Sequence, residues 1–144
     1  MTTSENLDRF IAALASFLVP VALDHGLSVT WHPRNPGEIL CALQDESVCI
    51  LVYLASGHGI NLTATVAPLF DGSWNPPSER GLPWLIDFLE LPPWQHRRFD
   101  SYDERDQHIF RLASVLPAVV DSVRARGAPL WPQLHAFIAQ RPRP

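Results

Sequence analysis

The spacing of apolar residues changes near residue 26, and this change constrains the fold more than any other feature. Before it, apolar side chains recur at every third or fourth position, the pattern of an amphipathic helix. They are Leu7, Phe10, Ile11, Leu14, Phe17 and Leu18. After it, Leu27, Val29 and Trp31 alternate with polar residues, the pattern of a half-buried strand. A helix followed by consecutive strands favours an α+β fold over a βαβ fold.

Strand-like patterns cover residues 27–32, 38–43, 48–54 and 60–66, with short turns between them. The third has no polar alternation and predicts a central strand buried on both faces. Helical patterns follow at residues 83–89, 101–126 and 130–138. We therefore predict a single α+β domain over residues 1–144: an N-terminal helix, a four-stranded mainly antiparallel sheet, and two to three C-terminal helices packed on one face. We expect Pro20 to end the first helix.

Charge and composition narrow the class of partner and the compartment. The net charge is −4, so the chain offers no overall field for nucleic acid, and we expect none to bind. The apolar run from Ile11 to Leu23 is too short to span a bilayer, contains Pro20 and follows Glu5 and Asp8 rather than a basic cluster. It predicts a buried helix, a cytoplasmic protein and no membrane partner. All cationic side chains are arginine, a composition we expect from a GC-rich bacterial genome.

Catalytic and metal signatures do not emerge from the residue spacings. The six histidines form no metal-binding motif, and without lysine a Schiff base is excluded. Asp100, Asp103, Asp106 and His108 are close enough in sequence to surround a cation, but acids also fit the start of a helix. Cys41 and Cys49 lie in apolar runs, where we expect them to fill the core. We predict no cofactor, no metal and no enzymatic activity.

Aromatic and charged residues near the proline-rich loops predict a partner-binding surface. The predicted residues are Trp74, Trp94, Arg97, Arg98, Asp100, Asp103 and Glu104. Tryptophan and arginine are enriched at interface hot spots, and acidic groups steer basic partners. The alternatives are that the tryptophans cover the core and that the acids cap a helix.

The polar side of the sheet is a second candidate surface. Its predicted members share one face, opposite the helices, and are Ser28, Thr30, His32, Asn61, Thr63 and Thr65. Such a face is either solvated or a docking place beside a sheet edge.

In size, mild acidity and element order the chain resembles the small immunity proteins that neutralise secreted bacterial toxins. The resemblance is one of general layout and transfers no residues. It implies a protein-binding module, monomeric or homodimeric, that covers a toxin. A secretion chaperone for an effector protein is the first alternative. The second is a small-ligand binder or enzyme with a pocket between sheet and helices, for which His58 or His96 would be a polar lining group.

Overall fold

The computed structural model describes residues 2–55 and 59–141, and it confirms the predicted α+β class. The chain begins with α1 (Thr3–Ala13), a π-helical turn (Leu14–Leu18) and α2 (Val19–Asp24). The strands β1 (Ser28–Pro33), β2 (Ile39–Gln44), β3 (Cys49–Leu54) and β4 (Asn61–Ala67) follow. The remaining elements are β5 (Arg80–Gly81), α3 (Leu82–Phe88), β6 (Arg97–Arg98), α4 (Tyr102–Arg126) and α5 (Leu130–Ala139).

The N-terminal helix does not end at Pro20, contrary to the prediction. The amide of Val19 donates to the carbonyl oxygen of Leu14, five residues back, which widens the helix into the π-helical turn. Pro20 then lies in the first turn of α2. Proline has no N–H to donate, but the regular series of helical hydrogen bonds is already interrupted there by the π-helical turn. The helix therefore continues to Asp24.

This longer helix changes the membrane argument as well. The run Ile11–Leu23 is part of the helix Thr3–Asp24, which has 22 residues and contains an 18-residue stretch with a mean hydropathy of 1.5, so length no longer excludes a membrane span. Among the described residues it is the one helix with the length and composition to cross a bilayer, a test that N-terminal signal sequences and buried core helices also pass. Phe10, Leu14 and Leu18 of this helix are fully buried against the rest of the fold.

The four predicted strands form an antiparallel sheet in the order β1-β2-β3-β4. Both β2 and β3 are almost entirely buried, as predicted for the second of them. Two short strands, in segments predicted to be loops, complete the far edge: β5 pairs with one end of β4 and β6 with the other. Over the residues that the structure describes, the sheet therefore has six strands rather than four.

All helices pack on one face of the sheet, as predicted. Their main cluster contains Phe10 and Leu14, the strand residues Cys41 and Ile50, and the apolar stripe of α4 that includes Leu112. Cys49 lies in a separate cluster on the opposite face. Both cysteines are fully buried, and burial raises the pKa of each thiol to about 12. They fill the core, as predicted.

The face opposite the helices is not the open polar surface that the strand pattern predicts. At its margin Ser28 and Thr30 are exposed as expected. Its centre, however, is an apolar cluster on β2 and β3, formed by Leu40, Ala42, Cys49 and Leu51, and all four are fully buried. Phe70 and Trp74, from the loop after β4, pack on this cluster. The loop thus covers the middle of the face. Among the described members of the predicted polar set, His32 and Thr63 are half-buried and Asn61 and Thr65 are buried, so the exposed part lies on the β1 side.

Candidate protein-binding surface

Trp94 is a core residue, so its prediction as an exposed partner anchor is wrong. Its side chain is 3% exposed, and its indole Nε1 donates to the carbonyl oxygen of His108 at 3.1 Å. The ring also stacks on the His108 imidazole, with the two centroids 4.7 Å apart. The alternative prediction, a tryptophan that covers the core, holds at this position.

Trp74 lies on the opposite face of the sheet from Trp94. Its ring is tilted against Tyr53 at a centroid distance of 6.0 Å, and the Arg34 guanidinium lies 5.3 Å from its centroid. Because the sheet separates Trp74 from Trp94, the two cannot form the single patch predicted from the sequence. The short distance between their loops in sequence gave no information about the face on which each ring packs.

Arg97 and Arg98 form β6 and are both exposed. The backbone of Arg97 pairs with Leu62 and that of Arg98 with Asn61, so these residues close one end of the β4 edge. The Arg97 guanidinium lies 5.3 Å from the ring centroid of Phe99. Both cations remain accessible, but Trp94 is not available beside them.

The acidic residues lie at the start of α4, where they cap the helix. The Glu104 amide donates to Ser101 Oγ at 3.2 Å, and the Glu104 carboxylate accepts from the Asp100 amide at 3.3 Å. Ser101 thus caps the helix, and Glu104 returns a bond to the amide of the residue before the cap, a variant of the capping box that is close to the alternative prediction. Asp103, whose side chain is 89% exposed, pairs loosely with Arg9 at 3.8 Å, and Asp106 does so at 3.9 Å. Within residues 2–55 and 59–141, no three His, Cys, Asp or Glu side chains are placed to hold a metal ion.

A buried arginine fixes α1 to α4 beside this acidic group. Arg105 is fully buried, and its two terminal nitrogens donate to the side-chain and backbone oxygens of Asn6 at 2.6 and 3.2 Å. Phe10 and Tyr102 pack near its guanidinium. Burial lowers the pKa of Arg105 to about 10, which still leaves it charged at neutral pH. The surface formed by α1 and α4 is therefore held together by a specific polar contact as well as by apolar packing.

Two phenylalanines on this α1–α4 surface are exposed, and sequence reasoning missed them. Phe110 is 59% exposed and Phe17 is 37% exposed, and their rings meet edge to face at a centroid distance of 5.9 Å. They line a shallow depression of about 460 Å³ together with Asp103, Asp106, Gln107 and Arg111. We call these six residues the Phe17–Phe110 surface. Exposed apolar groups rimmed by polar residues are typical of protein interaction sites.

A signal for this surface was present in the sequence. Phe110 lies off the stripe of Ile109, Leu112 and Leu116 that packs on the sheet, so a phenylalanine there has no core position to fill. Phe17, in contrast, fits the apolar spacing of the first helix, which predicts that it lies on the buried face. The π-helical turn that contains Phe17 shifts the helix face and leaves the ring at the surface. Of the predicted partner residues, Asp103 alone belongs to this surface.

A second depression, of about 500 Å³, lies between α3 and the segment before β6. Trp84, Pro93 and other apolar side chains line it, with Asp87, Gln95 and His96 as the polar groups. His96 Nδ1 accepts a hydrogen bond from the Ala64 amide at 3.2 Å, between the positions where β5 and β6 pair with β4. The ring therefore completes the sheet edge. His58, the other histidine considered for a pocket, lies outside the described residues.

Comparisons of the chain with protein-family models, with curated proteins and with solved structures found no match.

Proposed function

We propose that the protein is a non-catalytic binding module of the immunity type, which covers a cognate toxin with its Phe17–Phe110 surface. The observation that carries the proposal is the exposed edge-to-face pair of Phe17 and Phe110. Burying two such rings against a partner contributes several kcal/mol of apolar transfer energy. The proposed host is a bacterium and the proposed compartment is its cytoplasm.

The charges around the two rings favour a partner with a basic rim. Asp103 is almost fully exposed, and its contact with Arg9 is long enough to be given up at little cost. Glu104 and Asp100 extend the acidic group along the start of α4. A toxin that presents an apolar side chain flanked by arginine or lysine fits this arrangement, because acidic rims raise the rate of association with basic partners.

The proposal is tested by capturing proteins from lysate of the source organism with the tagged chain. The expected result is one stoichiometric partner that is bound by the parent chain and lost with Phe110→Asp. Leu69→Asp is the matched control, because Leu69 is also a large exposed apolar residue, at 67% exposure, but lies on the loop after β4. Equal capture by all three chains would contradict the assignment of the surface, and a captured protein without toxicity would contradict the immunity function.

A secretion chaperone is the second candidate, and one observation favours it. The outer edge of β1 has no strand partner among the described residues, and open edges can hold extended client segments. For a chaperone, capture would yield a secreted effector bound through an extended segment, and binding would be insensitive to Phe110→Asp.

A further inference from the structure

The open edge of the sheet consists of β1, which pairs with β2 alone among the described strands. Open edges usually carry charges, prolines or bulges that prevent pairing with another chain, and in β1 the single such residue is Pro33 at its last position. Residues 28–33 carry no acidic or arginine side chain, and β1 pairs with β2 through six consecutive residues without a bulge. Val29 and Trp31 are only half-buried along this edge. The edge is therefore open to pairing with a further strand.

The phase of the β1–β2 ladder identifies the backbone groups that point outward. The amide of Arg34 donates to the carbonyl of Glu38, which extends the register of β1 and β2 by one pair. In an antiparallel ladder, bonded and non-bonded pairs alternate. Ser28, Thr30 and His32 therefore bond to β2, while Val29 and Trp31 direct their N–H and C=O groups away from the sheet.

Both ends of this outward row are blocked. Pro33 is the next outward residue after Trp31 but has no N–H to donate. On the other side, the amide of Leu27 already donates to the carbonyl of Ala22. The available row thus contains two complete residues, Val29 and Trp31, with Thr30 between them.

We propose that a second copy of this chain occupies the edge, with the two β1 strands antiparallel about a twofold axis at Thr30. In this register Val29 lies opposite Trp31 of the other copy, and the two pairs related by the axis form four backbone hydrogen bonds. All outward groups of Val29 and Trp31 are then satisfied. A shift by two residues in one direction places the Trp31 carbonyl opposite the amide of Leu27, which already donates to Ala22. A shift in the other direction places the Val29 carbonyl opposite Pro33, which has no N–H.

The side chains also match in this register. On the helix side, the half-buried Val29 packs against Trp31 of the other copy, a favourable β-branched and aromatic pair. On the opposite side, Thr30 meets Thr30 and Ser28 meets His32, so no like charges face each other. The result is a continuous sheet across two chains, independent of the Phe17–Phe110 surface.

Size-exclusion chromatography with light scattering over a range of concentrations tests this proposal. We expect a species of twice the 16.2 kDa chain mass. Thr30→Arg places two cations opposite each other on the axis, and Val29→Pro removes an outward N–H that β2 does not use. Each should weaken the dimer by about tenfold or more, while circular dichroism shows an intact monomer.

Cysteine crosslinking locates the axis. Thr30 of one copy would lie opposite Thr30 of the other in a non-hydrogen-bonded pair. In such pairs the Cα atoms are about 4.5 Å apart, which is within the range of a disulfide. Thr30→Cys should therefore crosslink on oxidation. The control Ser28→Cys should not, because its two copies are offset by four residues, or about 13 Å.

Three outcomes would overturn the proposal. The first is a monomer at every concentration with no more crosslinking at residue 30 than at residue 28. The second is a dimer that neither Thr30→Arg nor Val29→Pro weakens. The third is a monomer whose β1 edge binds an extended peptide instead of a second copy.

Discussion

Replacing Trp94 with alanine should strongly destabilise the fold, because the side chain is buried in the main core and not at a binding surface. The indole is 3% exposed, stacks on His108 and donates to the carbonyl of that residue. Truncation of a buried tryptophan to alanine costs about 3–5 kcal/mol, and loss of the hydrogen bond adds about 1 kcal/mol. We therefore expect a loss of about 4–6 kcal/mol in the free energy of unfolding.

A loss of this size is a large part of the roughly 5–15 kcal/mol that stabilises a typical domain. Urea unfolding monitored by circular dichroism at two wavelengths measures it, since the variant lacks a main fluorophore. In a separate thermal unfolding experiment, the midpoint temperature of Trp94→Ala should be lower than that of the parent chain by roughly 12–18 °C. Trp94→Phe keeps much of the ring volume and removes the donor, so it should lose about half as much or less.

Trp74→Ala is the matched control for this prediction. Its ring is half-buried on the second cluster, and we expect a loss of about 1–2 kcal/mol. The reasoning is refuted if Trp94→Ala changes the free energy of unfolding by less than about 1 kcal/mol, or if it loses partner binding while its stability is unchanged. Either result would place Trp94 at the surface.

Three further predictions concern the polar contacts. Burial lowers the pKa of both His96 and His108. Charge repulsion from His108 lowers the pKa of His96 further, whereas the hydrogen bond to the carbonyl of Gln95 acts to raise the pKa of His108. The imidazoles of the unfolded chain therefore bind protons at a higher pH than those of the folded chain. The free energy of unfolding should decline as the pH falls below the ordinary histidine value of 6.5, and the decline should be smaller in His96→Asn. Arg105→Ala should lose roughly 2–4 kcal/mol in urea unfolding, and Arg105→Met less, because methionine retains the apolar stem; equal losses would show that the hydrogen bonds dominate. Desolvation acts to raise the pKa of Asp45, but hydrogen bonds from the turn amides and Arg124 outweigh it and lower the pKa; Asp45→Asn should cost about 1 kcal/mol at neutral pH, and this difference should vanish as acid protonates the parent carboxylate.

The strands were predicted well because burial on one or both faces leaves a direct record in the alternation of residues. The boundaries of β1 to β4 differ from the sequence prediction by at most one position at either end. In contrast, β5 and β6 have two residues each and exist only because β4 offers them an edge. Their own residues carry no period from which a strand could be predicted.

The site was predicted less well because exposure depends on tertiary packing. Trp94 and Trp74 have similar loop surroundings in sequence, yet one is buried with the helices and the other covers the opposite face. Phe17 has core spacing, and a π-helical turn moves it outward. Phe110 could have been recognised, since it lies off the buried stripe of α4.

The measurement that tests the central claim most directly is a growth assay in which the captured partner is expressed together with this chain. The account predicts that the partner arrests growth when expressed alone, that the parent chain and Leu69→Asp restore it, and that Phe110→Asp does not although it folds with unchanged stability. Full rescue by Phe110→Asp would contradict the claim that this protein binds its partner through the Phe17–Phe110 surface.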